Sequence, residues 1–220
     1  MLVETGEADG VLVASIDDGK VNALSSELIA GVRSAVALAT GRGQPLVITG
    51  RDGCFSAGFD LAVMNSGDQE LASALFAQGA RLYREIIEAP VPVVASCTGH
   101  ALAGGALLLL CADYRIGRAG SYRLGLNEVG IGMALPSFAV SIATHRLDQR
   151  YLTAAAMFAE VLSPDRAMAM GFLDEIVDDP FPRALSYAVS LAALPKEPFA
   201  VTKRRVRRGL TQELAALDGE

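Results

Sequence analysis

The chain has 220 residues, of which 51% are hydrophobic and 20% charged, and its formal net charge at pH 7 is −6. This length and composition are typical of a globular protein with a sizeable core, and they exclude an intrinsically disordered chain. The acidic balance argues against non-specific binding to nucleic acid.

The sequence carries no signal for export or membrane insertion. Its first residues, MLVETGE, are acidic, whereas a signal peptide begins with a basic and then an apolar segment. The densest apolar run, residues 101–112, contains two glycines and is shorter than the roughly 20 residues that a membrane helix needs. The three Cys lack metal-binding spacing, so we expect reduced, packed thiols and no metal site. The sequence therefore predicts a soluble cytoplasmic protein.

The first half of the chain alternates between strand and helix patterns, which predicts an α/β core. Strands are predicted at residues 11–16, 46–49, 91–96 and 114–117. Helices are predicted from Ser25 or Ser26 to about residue 40, over residues 69–88, and from Gly104 onward.

From Pro136 onward the pattern is typical of a nearly all-helical region. Within it, Ser163-Pro164 predicts the start of a helix and Gly171 predicts its end. We therefore divide the chain into an α/β core, residues 1–135, and a helical C-terminal region, residues 136–220.

Three segments have a composition that is typical of a catalytic site. Two are glycine-containing turns that lead towards helices, at residues 55–61 and 99–105, and amides exposed there could form an oxyanion hole. The third places Glu128 among apolar residues and glycines, where its pKa would rise and suit general acid–base chemistry. Spacing alone leaves simple turns and a solvated carboxylate as open alternatives. With two His and no triad spacing, a triad hydrolase is not expected.

Taken in order, several segments resemble those of the crotonase superfamily, the enoyl-CoA hydratase/isomerase family, over essentially the whole chain. They are KVNALS at residues 20–25, ITG at 48–50, FSAGFDL at 55–61, GHALAGG at 99–105, ADYR at 112–115, GLNEVGIG at 125–132 and AMAMGFLDEIV at 167–177. The resemblance implies a spiral of ββα units followed by a helical trimerisation region. It also implies an acyl-CoA thioester as the substrate and a homotrimer or a dimer of trimers as the assembly.

The resemblance also assigns roles by motif position. The thioester carbonyl would lie between the backbone amides of Phe59 and Gly104, while Glu128 would transfer protons. One such amide is typically worth about 10²–10³ in rate. Coenzyme A belongs to the substrate, so no separate cofactor is expected. The other residues expected to bind substrate within these motifs are Asn22, Ala23, Leu24, Ala57, Gly58, Asp60, Leu61, Gly105 and Leu107.

One position departs from the hydratase pattern. Hydratases of this family use two glutamates, and alignment of the glycine motif places Leu107 where the first belongs. A single glutamate suffices to move a proton from one carbon to another, so we expect a Δ3-to-Δ2 enoyl-CoA isomerase. Enoyl-CoA hydration, acyl-CoA binding without turnover, and the family's thioesterase and decarboxylase branches remain alternatives.

A basic run, KRRVRR at residues 203–208, holds five of the 19 basic residues. Such a run is usually a solvated helix face. Alternatively, it could hold the phosphates of coenzyme A by charge-assisted contacts, with Lys203 and Arg207 as the candidates.

Overall fold

The computed structural model describes residues 2–217 as a mixed α/β chain. Up to residue 118 it contains, in order, β1 (Val3–Ala8), β2 (Val11–Ile16), β3 (Ala23–Leu24), α1 (Ser26–Arg42), β4 (Leu46–Thr49), β5 (Gly53–Ser56), β6 (Gly58–Phe59), α2 (Leu61–Met64), α3 (Gln69–Glu88), β7 (Val93–Cys97), β8 (Gly99–Leu102), α4 (Gly104–Cys111) and β9 (Tyr114–Arg118). There follow β10 (Leu124–Gly125), a 3₁₀ turn (Val129–Ile131), α5 (Ser137–Arg146), α6 (Leu152–Ala156), α7 (Pro164–Met170), β11 (Glu175–Val177), α8 (Pro180–Ala192), α9 (Lys196–Val206) and α10 (Arg208–Ala216). The α/β class expected from the sequence is confirmed.

The main sheet has six strands in the order β1-β2-β4-β7-β9-β11. Strands β1 and β2 are antiparallel, and the other neighbouring pairs are parallel. Every residue of β4 and β7 is buried, because both faces of the parallel part are covered. Alternate side chains of the sheet accordingly enter two different cores, one with α1 and α3 and the other with α8.

Local sequence sets the ends of the helices. The Ser25 side chain accepts a hydrogen bond from Leu28 N at the start of α1, and Gly43, with φ of 59°, ends it. Ser163 and Gly171 do the same for α7, as the sequence predicted. Capping of this kind satisfies backbone groups that a helix end leaves unpaired.

Two small parallel sheets lie beside the main one and carry the glycine turns. One has the order β10-β8-β5, and the other pairs β3 with β6. Together with α3 and α5 they pack around α4, all eight residues of which are buried. A helix that is apolar on every side is stable only in such an interior position.

The C-terminal part contributes to the sheet as well as to the helical layer. Strand β11 pairs with β9, and the alanines of α8 pack against the second face of the sheet. The division at residue 135 stays a prediction based on composition. No helix between residues 2 and 217 is long and apolar enough to cross a membrane.

Candidate active site

A cavity of about 240 Å³, here called the central cavity, lies where the glycine turns meet the segment around Glu128. Its walls are largely apolar, which suits an acyl group. Its lining consists of Ala57, Phe59, Leu61, Met64, Phe76, Leu102, Ala103, Leu107, Asn127, Glu128, Ile131, Met133, Ala134 and Pro136.

The two glycine turns are in direct contact. Gly58 has a φ of 95°, and a Cβ atom placed on it would lie 2.9 Å from the backbone nitrogen of Gly104. A Cβ atom on Gly105 would lie 2.2 Å from the carbonyl oxygen of Ser56. Both positions therefore require glycine, because any side chain would push the turns apart.

Gly104 is the first residue of α4, so its N–H has no preceding helical carbonyl with which to pair. The residue before it, Ala103, holds a φ of 49° without being glycine, and its carbonyl accepts hydrogen bonds from Ala106 N and Leu107 N. A backbone conformation of this kind persists only where its surroundings impose it, and it is concentrated at functional sites.

Phe59 follows Gly58 and places its ring against the start of α4. A Cβ atom on Gly104 would lie 2.9 Å from Phe59 Cδ2 and 3.0 Å from the hydroxyl oxygen of Tyr83. The structure thus brings together the two residues whose amides are expected to form the oxyanion hole.

Tyr83, on α3, is a residue that the sequence analysis missed. Its hydroxyl donates a hydrogen bond of 2.8 Å to the carbonyl oxygen of Gly104. The side chain is fully buried, and burial raises the pKa of its hydroxyl well above the ordinary range. Tyr83 therefore stays protonated and acts as a fixed donor.

Glu128 is the one ionisable side chain among the described residues that line the central cavity. It is 7% exposed, and its Oε2 atom has no hydrogen-bond partner within residues 2–217. Burial raises the pKa of the carboxyl group. Its backbone is held in place, because the Glu128 carbonyl accepts hydrogen bonds from Ile131 N and Met133 N.

Beside Glu128, the Oδ1 atom of Asn127 is also buried without a partner among the described residues. Two buried oxygens without partners on adjacent residues are unusual, since buried polar atoms are nearly always hydrogen-bonded. Leu107 is fully buried and lines the same cavity as Asn127 and Glu128 with an apolar side chain. The position offers water no hydrogen-bond partner.

The remaining motif residues hold the loops. Asn22 is fully buried, and its Nδ2 atom lies within hydrogen-bonding distance of the carbonyls of Ile16, Cys54 and Phe55. Asp60 caps α2 by accepting a hydrogen bond from Ala62 N.

Three further residues that were expected to bind substrate lie near the turn at Phe59 or line the central cavity. Ala23 and Leu24 form β3, which pairs with β6 and so fixes the turn at Phe59. Leu61 lines the central cavity and is also 55% exposed.

The expectation that Lys203 holds a phosphate of coenzyme A needs correction. Lys203 is buried, and its Nζ atom lies 2.6 Å from Asp113 Oδ2 and donates to the carbonyls of Ile86 and Val91. Arg207 Nη2 lies 3.4 Å from the other oxygen of Asp113. Both cations therefore pair with a partly buried carboxylate inside the fold.

Comparison with known proteins agrees with the geometry. The family model described as enoyl-CoA hydratase/isomerase matches residues 6–217. The chain belongs to the enoyl-CoA hydratase/isomerase family. The resemblance to the crotonase superfamily and its fold is thereby confirmed, and the protein is an enzyme of the crotonase type.

Members of this family similar to the chain carry both isomerase and hydratase names. Mitochondrial enoyl-CoA delta isomerase 1 of Mus musculus is 28% identical over 97% of this chain and 76% of its own length. Crotonyl-CoA hydratase of Syntrophomonas wolfei is 31% identical over 71% of this chain and 61% of its own length. The crystal structure of an enoyl-CoA hydratase/isomerase family protein from Pseudomonas syringae has a TM-score of 0.96 at 39% identity, covering 99% of this chain and 95% of that one.

Proposed function

We propose that the protein shifts the double bond of a 3-enoyl-CoA to the Δ2 position, with Glu128 as the single proton carrier. The observation that carries this proposal is the lining of the central cavity, where Glu128 is the one ionisable side chain among the described residues. The similarity to a mouse protein named enoyl-CoA delta isomerase supports it.

In the proposed reaction, the carboxylate of Glu128 takes a proton from C2 of the 3-enoyl thioester. The electrons of the broken C–H bond form a dienolate whose negative charge resides on the thioester oxygen. The amides of Phe59 and Gly104 stabilise that charge, since preset donors act most strongly in a site that excludes water. Glu128 then returns the proton to C4, and the double bond settles between C2 and C3.

The environment of Glu128 suits both halves of this cycle. A carboxyl group with a raised pKa is a stronger base than an ordinary glutamate, and burial raises the pKa of Glu128. The apolar walls, including Leu107, limit the exchange of that proton with water. Intramolecular transfer from C2 to C4 is therefore favoured over loss of the proton to solvent.

The test is Glu128→Gln, assayed with 3-enoyl-CoA by mass spectrometry of the products. We expect turnover to fall by about 10²–10⁴-fold, because general acid–base catalysis contributes on that scale. The matched control is Glu160→Gln, which neutralises a partly exposed glutamate paired with Arg166 and should leave turnover unchanged. Near wild-type turnover of Glu128→Gln would refute the proposed role.

Hydration of 2-enoyl-CoA is the second candidate, and the similarity to a crotonyl-CoA hydratase favours it. It requires a water molecule that is held and activated opposite Glu128, at the position that Leu107 occupies. Loss of enoyl absorbance on incubation with 2-enoyl-CoA measures this reaction directly. Fast hydration would overturn the interpretation of Leu107.

Binding of acyl-CoA without turnover is a third candidate, and the apolar Leu107 is what favours it. Tight binding with no product from 2-enoyl, 3-enoyl or 3-hydroxyacyl thioesters would support that role. Any product that is lost in Glu128→Gln would exclude it.

We also propose that the protein assembles as a homotrimer or a dimer of trimers. An exposed apolar patch supports this, since Ile131 is 52% and Phe158 is 71% exposed. Their segments are adjacent, because a Cβ atom on Gly130 would lie 3.3 Å from Ala159 Cβ. Sedimentation velocity of the wild type and of Phe158→Glu should show a trimer or hexamer that the substitution weakens.

A further inference from the structure

A second cavity, here called the outer cavity, lies between α3 and the start of α5 and has a volume of about 370 Å³. It opens to solvent at one side, where Arg81 and other exposed residues line it. Its lining consists of Ser73, Phe76, Ala77, Ala80, Arg81, Ser137, Phe138 and Leu217. The catalytic proposal makes no use of it, although it lies next to the central cavity.

Phe76 lines both cavities and is the side chain that they share. The boundary continues at the start of α5, where Pro136 lines the central cavity and Ser137 lines the outer one. The partition between the cavities is therefore one side chain thick at Phe76.

The ring of Phe76 is held from both sides. Its centroid lies 5.0 Å from that of Phe59 in an edge-to-face arrangement, and 6.4 Å from that of Phe138. Phe59 lines the central cavity and Phe138 lines the outer one. Edge-to-face pairs of this kind fix the orientation of a ring, so Phe76 is a wall and not a freely turning side chain.

We propose that Phe76 limits the length of acyl chain that the site binds, and that the outer cavity is an extension of the acyl pocket from which the Phe76 ring separates it. This inference rests on the proposed acyl-CoA function, because it places the thioester at Phe59 and Gly104. A chain that leads from there fills the central cavity until its end meets the Phe76 ring. Removal of the ring joins the two cavities into one channel.

Affinity for saturated acyl-CoA thioesters measures this limit without depending on catalysis. Each methylene group that becomes buried strengthens binding about fourfold. In the wild type, affinity should rise from butanoyl-CoA to a plateau, beyond which longer chains gain nothing. In Phe76→Ala the plateau should move to longer chains, with hexadecanoyl-CoA bound about tenfold more tightly and butanoyl-CoA bound as before.

Isothermal titration calorimetry with butanoyl-, octanoyl-, dodecanoyl- and hexadecanoyl-CoA is the experiment. Two variants serve as matched controls. Phe76→Ala combined with Ala80→Leu refills the outer cavity from α3 and should restore the wild-type plateau. Ser73→Ala alters the lining of the outer cavity but leaves Phe76 and both of its ring partners in place, so it should keep the wild-type plateau. Phe76→Leu, a smaller change to the packing, should shift the plateau partway.

The outcomes separate this inference from the proposed function. A plateau that stays unchanged in both Phe76→Ala and Phe76→Leu would overturn the inference while acyl-CoA binding stands. A shift that survives the Ala80→Leu substitution would also overturn it, because the gain would not come from the outer cavity. Failure of the wild type to bind any acyl-CoA would refute the proposed function itself.

Discussion

The hydroxyl group of Tyr83 donates a hydrogen bond of 2.8 Å to the carbonyl oxygen of Gly104. The bond joins α3 to the first residue of α4, whose amide is half of the proposed oxyanion hole. The Tyr83 ring also lies 6.3 Å, centroid to centroid, from the ring of Phe59, which carries the other half. One buried side chain thus contacts both residues that the proposed mechanism needs to keep in register.

Tyr83→Phe removes this hydrogen bond and retains the ring. We expect kcat to fall about tenfold with KM within about twofold, because a loosened Gly104 peptide weakens transition-state contacts more than substrate binding. The free energy of unfolding should fall by about 1–2 kcal/mol, the usual cost of an unpaired buried acceptor. Steady-state kinetics and urea unfolding measure the two effects.

The matched control for this variant is Tyr114→Phe. It removes a hydroxyl that lies 3.4 Å from a carboxylate oxygen of Glu175, on a strand of the main sheet. We expect unchanged kcat in that variant. If kcat falls equally in both variants, or KM alone changes in Tyr83→Phe, Tyr83 does not position the amide.

Gly58→Ala tests the contact between the two glycine turns. The new methyl group would lie 2.9 Å from Gly104 N, and the residue would have to keep a φ of 95°. We expect kcat to fall by about 10²-fold or more, the scale of losing an oxyanion donor. Activity per folded molecule, with folding checked by circular dichroism, is the measurement.

Gly67→Ala separates backbone strain from this steric effect. Gly67 has a φ of 80°, but a Cβ atom there would meet nothing within 4 Å. Its replacement should therefore lower stability by about 1 kcal/mol through strain alone and leave kcat unchanged. Comparable activity of the two variants would argue against an oxyanion hole at this turn.

The sequence predicted those parts of the fold that local chemistry determines. Ser25 and Gly171 mark helix ends because a side-chain acceptor and a left-handed backbone satisfy unpaired groups at those positions. The strand at residues 175–177 was not predicted. Its three residues are all half-buried, and they form a strand because β9 offers an open edge, which is a tertiary effect.

The motifs name candidate site residues, but they do not reveal roles that depend on burial. Phe59 lies beside Gly104 and lines one cavity with Glu128, while the catalytic roles of the three residues stay a prediction. Tyr83 is one of two aromatic residues on its helix, and nothing in the local pattern distinguishes it. Its importance arises because α3 and α4 pack together, which brings its hydroxyl to a backbone carbonyl 21 positions away.

Lys203→Met tests the corrected role of the basic run. Removal of the ammonium leaves Asp113 without its shortest ion pair, at 2.6 Å, and breaking a buried pair typically costs about 3 kcal/mol or more. We expect lower stability and an unchanged KM for CoA thioesters. Arg204→Met, at an exposed neighbouring position, should change neither quantity. A raised KM with wild-type stability in Lys203→Met would restore the phosphate-binding interpretation.

The pH dependence of kcat should report the burial of Glu128. Proton abstraction requires the carboxylate, and burial raises the pKa of that group. The acidic limb of the kcat profile should therefore lie at higher pH than the ordinary titration of a glutamate, with activity lost as pH falls through it. A profile flat down to the ordinary glutamate range would contradict the assignment of Glu128 as the base.

The stability of the fold should also depend on the protonation of Glu128, but in the opposite direction to activity. Ionisation of the carboxyl group enables catalysis and lowers stability. Because the folded-state pKa of Glu128 is raised above its unfolded value, the folded protein binds the proton more tightly than the unfolded chain. The contribution of Glu128 to stability is thus complete below the unfolded pKa and is lost as pH rises through the folded pKa. Glu128→Gln, which cannot ionise, should become more stable than the wild type across that window.

The stability difference between the wild type and Glu128→Gln should accordingly be small in acid, grow between the ordinary glutamate pKa and the raised one, and then stay constant. Urea unfolding at a series of pH values measures it, and Glu160→Gln provides the control for a partly exposed glutamate. A gain in stability at neutral pH together with a loss of activity would show that the fold maintains an ionised carboxylate at an energetic cost for its chemistry. A variant less stable than the wild type at neutral pH would instead show that the carboxylate is favourably paired in the fold.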